Sequence, residues 1–186
     1  MGISTKKFLI VVLSLTLLFA VSCSNEDKTG GGNGDIDNQI NALFNSIPAL
    51  FNADATDAPN GTYTGDFTLT DSKDVGDSKN EHPNTKNISL TIENNKITKL
   101  SIKDYDTSSF KVAQIKTDNG KYNAISEFSS DMEGVAQKLN YYIEFTKDND
   151  TTIKDIKFIQ TFSVKGAINN NYQETYTCKT LTSSVN

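Results

Sequence analysis

Apolar residues recur at every second position through most of the chain after residue 60. In GTYTGDFTLT the alternation places four residues on one face: Tyr63, Gly65, Phe67 and Leu69. Successive side chains of a strand point to opposite faces of a sheet, so this period predicts half-buried strands. Polar links rich in Asn, Asp and Gly separate the alternating segments and predict antiparallel hairpins.

The number and spacing of these segments predict a mainly β fold of about eight antiparallel strands arranged as a meander. We expect an up-and-down barrel or a strongly curved sheet, because closure leaves no free strand edge. A two-sheet β-sandwich is the alternative. The segment GTY at Gly61 to Tyr63 resembles the Gly-X-Trp start of the first strand in lipocalins and related calycins, with Tyr63 replacing the Trp. The resemblance implies a lipocalin-like barrel.

The hairpin NISLTIENNKITKLSIK allows a prediction of strand register. A two-residue turn at Asn94-Asn95 would put Leu90 on the same face as Lys99. A three-residue loop from Glu93 to Asn95 instead aligns Leu90 with Leu100 and keeps one apolar face continuous. Because a slip of one residue reverses every side chain, burial favours the three-residue loop.

The next two links are predicted from their turn residues. A three-residue loop ending on Gly120 would pair Phe110 with Phe128 across two strands, a favourable aromatic contact. The following segment, SSDMEGVAQK, begins like a helix capping box, but its Gly134 weakens a helix. We expect a loop or a single helical turn there.

Residues 35–52 are predicted to form an amphipathic helix that packs on the domain's own core. Its apolar stripe recurs at three- and four-residue steps: Ile36, Ile40, Leu43, Phe44, Ile47, Leu50 and Phe51. Pro48 should kink or restart the helix, with Ser46 as a second N-cap. A lid or partner-binding helix is the alternative.

The N-terminus carries a charged pair, Lys6 and Lys7, followed by an apolar run from Phe8 to Val21. As a helix this run would reach roughly 21 Å, at about 1.5 Å per residue. That is short of the roughly 30 Å hydrocarbon core, so a secretory signal peptide is favoured over a spanning helix.

The segment AVSC, Ala20 to Cys23, resembles the lipobox of bacterial lipoproteins. The resemblance implies cleavage before Cys23 and attachment of acyl chains to it. The predicted organisation is a signal peptide (1–22), a flexible Gly-rich tether (23–34) and one β-rich domain (35–186). An ordinary secretory peptide with a chance cysteine is the alternative.

The residues after Cys23 bear on location. Ser24 stands where Asp favours inner-membrane retention in enterobacterial lipoproteins, which implies an outer-membrane anchor. Asn25-Glu26-Asp27 resembles the acidic surface-export signal of Bacteroidetes-type lipoproteins and implies exposure at the cell surface. The first expected partner is therefore the membrane, through the lipid on Cys23.

Composition and motifs argue against several functional classes. All 18 basic residues are lysines and the net charge is -5, which argues against nucleic acid as a partner. The single histidine, His82, lies in a polar segment and is expected to be solvated. No catalytic constellation, metal site or cofactor motif is predicted. Cys178, in an alternating strand, is expected to be a buried thiol.

We therefore predict a non-catalytic, membrane-anchored lipoprotein. Its β domain would bind a small apolar ligand in a cavity lined by inward-facing residues: Phe67, Leu90, Tyr141 and Phe158. The alternative is a surface protein–protein interaction module with a filled barrel, whose partner is an envelope or host protein.

Overall fold

The computed structural model describes residues 33–76, 79–132, 135–165 and 170–184. Cys23, the predicted signal peptide and most of the predicted tether lie outside these described residues. The described chain has a helix α1 (Asn33–Asn45) followed by ten strands. These are β1 (Ala53–Asp54), β2 (Gly61–Val75), β3 (Thr85–Glu93), β4 (Lys96–Ile102), β5 (Ala113–Gln114), β6 (Lys116–Asp118), β7 (Lys121–Met132), β8 (Val135–Asn149), β9 (Thr152–Lys165) and β10 (Asn170–Ser184).

The ten strands form one antiparallel sheet in the order β1-β6-β7-β8-β9-β10-β2-β3-β4-β5. The prediction of a mainly β, antiparallel fold is confirmed, and the alternative of two separate sheets is wrong. Seven strands are long, and the other three have only two or three residues each. The first long strand, β2, pairs with the last, β10. The other long strands pair as consecutive hairpins, from β2 to β4 on one side and from β7 to β10 on the other, and β1 pairs with β6.

The sheet is not closed, because no ladder joins β4 to β7 along their length. At one end of this seam, β5 pairs with the start of β4 and β6 pairs with the start of β7. Along the rest, side-chain hydroxyls replace the ladder. Thr107 Oγ1 donates to the Leu100 carbonyl at 2.9 Å, and the Lys111 N–H donates to Ser126 Oγ at 2.8 Å.

One face of the sheet, the inner face, carries a single apolar cluster drawn from β2, β3, β4, β7, β8, β9 and β10. The alternation predicted this face correctly. Leu139 lies opposite Phe162, and Ile143 lies opposite Phe158, in the β8–β9 ladder. Because one cluster takes side chains from all the long strands, the sheet must curve around it.

The hairpin turns are shorter than predicted. Asn94 and Asn95 both have positive φ (51° and 60°) and form a two-residue turn, as do Asn119 and Gly120 (48° and 76°). Asn and Gly tolerate this left-handed conformation at low energetic expense. The two predicted three-residue loops are therefore wrong.

A bulge preserves the predicted apolar face despite the shorter turn. Leu90 lies opposite Leu100, as predicted, but Ile92 pairs with Ile97 and leaves Thr98 as an extra residue on β4. An extra residue in one strand shifts the facing of everything beyond it by one position. The Asn94-Asn95 turn and the buried leucine pair are compatible for this reason.

Two further predictions about links are wrong. Phe110 precedes β5, and its ring lies 6.2 Å from the Tyr141 ring rather than across a ladder from Phe128. Within the segment predicted as a loop or helical turn, residues 129–132 and 135–138 belong instead to the ends of β7 and β8, which pair as far as Met132 and Val135.

The helix α1 ends at Asn45, well before the predicted limit at residue 52. Pro48 disfavours helical conformation at the residue before it, which accounts for the early end. Ser46 does not cap a second helix, since its Oγ donates to the Leu43 carbonyl at 2.7 Å. Leu43 and Phe44 are buried against the outer face, where α1 packs on β2, β9 and β10.

The segment after α1 is fastened to the outer face by the buried side chain of Asn123. Its Oδ1 accepts from the Phe51 N–H at 3.1 Å, and its Nδ2 donates to the Ala49 carbonyl at 3.1 Å. The same Nδ2 lies 3.2 Å from the hydroxyl of Tyr142. The N-terminal helix and its extension therefore belong to the domain's own packing, as predicted for the helix.

Candidate functional site

A buried ion pair lies within the inner face, between β3 and β10. Lys86 Nζ donates to Glu174 Oε2 at 2.5 Å, and the two side chains are 2% and 3% exposed. Lys86 also donates to Gln160 Oε1 at 3.2 Å. Charged side chains this deeply buried are rare unless paired, so the pair is the most unusual polar feature of the described structure.

His82 connects this ion pair to a second carboxylate. Its Nδ1 lies 2.9 Å from Glu174 Oε1, and its Nε2 lies 3.2 Å from Asp74 Oδ2. Asn80 Nδ2 donates to the other oxygen of Asp74 at 2.6 Å. The result is one polar cluster, called here the Lys86–Glu174 cluster, that joins β2, β3, β10 and the segment 79–84.

The prediction that His82 is solvated is wrong, because its side chain is only 12% exposed. The segment 79–84 folds back on the sheet and carries the imidazole inward. Tyr176, on β10, donates its hydroxyl to the Pro83 carbonyl at 3.0 Å. The Leu69 N–H, on β2, donates to the Asn84 carbonyl at 2.8 Å.

Aromatic rings surround the charged atoms of the cluster. Lys86 Nζ lies 4.5 Å from the centre of the Tyr105 ring and 4.8 Å from that of Tyr176. The Tyr172 ring meets that of His82 edge-on at 5.8 Å, and its hydroxyl accepts from Gln160 Nε2 at 3.3 Å. Such rings attract cations and exclude water from the ion pair.

Burial and hydrogen bonding shift the titrations in opposite directions. Burial disfavours the charged imidazole of His82, but the hydrogen bonds to Glu174 and Asp74 outweigh it and raise the pKa above its ordinary value. Burial also opposes ionisation of Asp74, yet its bonds to Asn80 and His82 lower the pKa of that carboxyl. Burial lowers the pKa of Lys86, against the opposing attraction of Glu174.

The tyrosines of the inner face are held neutral. Burial raises the pKa of Tyr141 to about 12. Burial and, secondarily, the charge of Glu174 raise the pKa of Tyr172 and Tyr176. These hydroxyls therefore act as hydrogen-bonding groups rather than as bases near neutral pH.

The geometry limits the chemistry that the cluster can perform. Each ring nitrogen of His82 faces a carboxylate oxygen. An imidazolium that donates a hydrogen bond from both nitrogens has no free lone pair with which to accept a proton. The positive charges of Lys86 and His82 face the negative charges of Asp74 and Glu174. A charge-balanced arrangement of this kind is better suited to attaching the segment 79–84 to the strands than to acting as a catalytic base.

The four residues predicted to line a ligand cavity all belong to the apolar cluster. The rings of Tyr141 and Phe158 stack with centroids 6.0 Å apart. Phe67, Leu90 and Phe158 have 0% exposed area. A void large enough for water would leave accessible area on the residues that line it, so no such void touches these three.

Two grooves are open to solvent, and the second is lined in part by Ile156 of the apolar cluster. One, of about 550 Å³, runs between α1 and the β7–β8 hairpin and includes Asp37 and Lys165. The other, of about 570 Å³, crosses β9, β10 and β2 and includes Cys178. Cys178 is half-buried rather than fully buried, and its thiol faces the Thr180 carbonyl at 3.7 Å.

The ion pair is absent from the sequence predictions, although the alternation contains a signal for it. Lys86 precedes Ile88 by two residues, and Glu174 stands midway between Tyr172 and Tyr176. Both are therefore charges at inward-facing positions, and buried opposite charges are expected to pair. The part played by His82 has no such signal, because it depends on the path of the segment 79–84.

Among the residues that the structure describes, no helix has both the length and the apolar character needed to span a membrane. Comparison with protein-family models, with curated proteins and with solved structures found no match to this chain.

Proposed function

We propose that the chain is a lipid-anchored protein of the bacterial outer membrane whose β domain is a non-catalytic interaction module with a filled interior. The observation that carries this proposal is the absence of exposed area on Phe67, Leu90 and Phe158. An interior already occupied by its own side chains leaves the outside of the domain as the surface that binds. The anchor would be the acylated Cys23, and the partner another envelope or host protein.

The loop 103–112, which crosses the seam, is the part of the outside best suited to recognition. Tyr105 and Val112 are 44% and 59% exposed, and both lie on this loop. Exposed large apolar side chains on a loop held by a rigid sheet are typical of protein-binding surfaces. The ring of Tyr105 also contacts the Lys86 ammonium, so this loop connects the surface to the buried ion pair.

We also propose that the curved sheet is a lipocalin-like variant. The pairing of β2 with β10, together with consecutive hairpins on both sides, supports this relation. The open seam between β4 and β7 is the point of departure from a closed barrel. The N-terminal helix packed on the outer face is compatible with it.

Lipidation is expected to depend on Cys23 alone. Cells given radiolabelled fatty acid should incorporate it into the wild-type chain and into Cys178→Ser, but not into Cys23→Ser, because the thioether requires that thiol. Cys178→Ser is the matched control, since these are the two cysteines of the chain. Absence of label from the wild type, in cells that label known lipoproteins, would contradict the anchor.

Photo-crosslinking tests the proposed binding loop. A photoreactive residue at position 105 or 112, in the full chain in its host cells, should give a discrete crosslinked product with a second protein. The same photoreactive residue in place of Lys121, which is exposed at the start of β7, should give much less crosslinked product. Equal products at all three positions, or none at any, would count against the loop as the recognition surface.

A small apolar ligand remains the second candidate function. It is favoured by the aromatic residues of the inner face near the seam, where the Phe110 and Tyr141 rings meet. Because this seam is joined by side-chain hydroxyls, it is the place where the interior could open to admit a ligand. Native mass spectrometry of the chain purified from its host separates the two functions, since a carrier retains a small molecule that a filled module lacks.

A further inference from the structure

The segment 79–84, which we call the His82 loop, is attached to the sheet at few points. Two contacts are hydrogen bonds between neutral groups, made by the carbonyls of Pro83 and Asn84. The others converge on Asp74 and Glu174. Asn80 and His82 reach Asp74, while His82 alone reaches Glu174. The imidazole of His82 is therefore the one loop side chain that joins β2 to β10 among these contacts.

Charged and titratable groups face His82 from each element packed against it. Asp74 approaches from β2 and Glu174 from β10. Lys86, on β3, is held by the opposite oxygen of Glu174. The phenols of Tyr172 and Tyr176, on β10, and of Tyr105, on the loop 103–112, remain neutral because burial raises the pKa of each.

These contacts depend on the protonation state of the His82 imidazole. The charged imidazole donates from both nitrogens, one to each carboxylate. After loss of a proton, one nitrogen presents a lone pair to a carboxylate about 3 Å away, which is repulsive. The remaining proton can serve Asp74 or Glu174, but not both.

We propose that the His82 loop is a pH-sensitive latch, closed over the Lys86–Glu174 pair when His82 is protonated and released when His82 is neutral. Release would free the Pro83 carbonyl from Tyr176 and expose the Lys86 end of the inner face, between the Tyr105 and Tyr176 rings.

The sign of the pH dependence follows from the direction of the shift. Because the pKa of His82 is raised by folding, its stabilising contribution is complete below about pH 6.5, the unfolded value. That contribution is lost as the pH rises through the higher, folded value. The latch is therefore closed in mildly acidic solution and opens on the alkaline side.

The single histidine makes the test direct. Imidazole NMR signals of the full-length chain in detergent micelles report the titration of His82. Amide hydrogen exchange, followed by NMR at the Leu69 and Asn80 N–H groups that donate to Asn84 and Asp74, reports attachment of the loop and is called loop protection. Expressed relative to the unstructured exchange rate at each pH, protection should fall about tenfold as His82 loses its proton. Protection of β8 should stay constant, which separates local release from global unfolding.

Two variants complete the test. His82→Gln should show low, pH-independent protection of the loop, because glutamine cannot carry the charge. Asp74→Asn keeps the loop but removes one carboxylate, so both the His82 midpoint and the loss of protection should move to lower pH together. Loop protection that does not follow the His82 titration, in the wild type or in Asp74→Asn, would overturn the latch.

Discussion

Replacement of Glu174 by glutamine is expected to lower the free energy of unfolding by about 3–5 kcal/mol. Among the residues that the structure describes, Glu174 is the acidic partner of the buried Lys86, and glutamine leaves the ammonium without a counter-charge. His82 loses one of its two carboxylates in the same variant. A buried charge deprived of its partner is among the few mechanisms that destabilise a domain this strongly.

Chemical denaturation of the full-length chain at neutral pH measures this effect. The double variant Lys86→Met, Glu174→Gln should be more stable than Glu174→Gln alone, because it removes the unpaired ammonium. Asp148→Asn is the matched control, since the ion pair of Asp148 with Lys154 is exposed and should contribute little to stability. If Glu174→Gln lost no more stability than Asp148→Asn, the interpretation of Lys86–Glu174 as a desolvated pair would be wrong.

The sequence indicates that both members of this ion pair face inward, but it does not predict that they are in contact. Alternation places Lys86 and Glu174 at inward positions of their strands, as argued from their neighbours. The two strands are separated in the sheet by β2, and the ladder that brings them near one another is the pairing of the first long strand with the last. Local patterns carry no information about that pairing, because it joins strands that are far apart in the sequence.

The hairpin at Asn94-Asn95 shows a different limit. Burial of one continuous apolar face correctly predicted that Leu90 lies opposite Leu100. It could not distinguish an extra residue in the loop from an extra residue in the strand, because both shift the facing by one position. The structure has a bulge at Thr98, so the turn consists only of Asn94 and Asn95, which favour left-handed backbone.

The apolar pattern is overridden at two places, by Pro48 at the end of α1 and by tertiary contacts at the seam. The apolar period continues through Phe51, yet the helix stops at Asn45, and the Phe51 N–H bonds instead to Asn123 of the sheet. Around the seam, a three-residue loop ending on Gly120 predicts Phe110 in a strand opposite Phe128. The Phe110 ring instead packs on Tyr141 from a loop, where side-chain hydroxyls satisfy the backbone groups.

Replacement of Phe158 by alanine is expected to destabilise the domain by about 3–5 kcal/mol. Phe158 lies at the centre of the inner face, stacked on Tyr141 and directly opposite Ile143 and Tyr176 in the two adjoining ladders. Truncation there removes apolar contact on all sides and leaves a cavity that a curved sheet fixed by ladders can only partly collapse. Val112→Ala, at a side chain that is 59% exposed, is the control and should change stability far less.

The same variant tests whether the interior is filled in the wild-type chain. A dry cavity lined by apolar side chains binds small apolar molecules such as benzene. Benzene should therefore raise the melting temperature of Phe158→Ala and leave that of the wild type unchanged, since ligand binding stabilises only the form that has the site. An equal rise in both proteins would mean that the wild-type interior already holds space for a ligand. In that case the inner face, with Phe67, Leu90 and Tyr141, would replace the loop 103–112 as the binding surface.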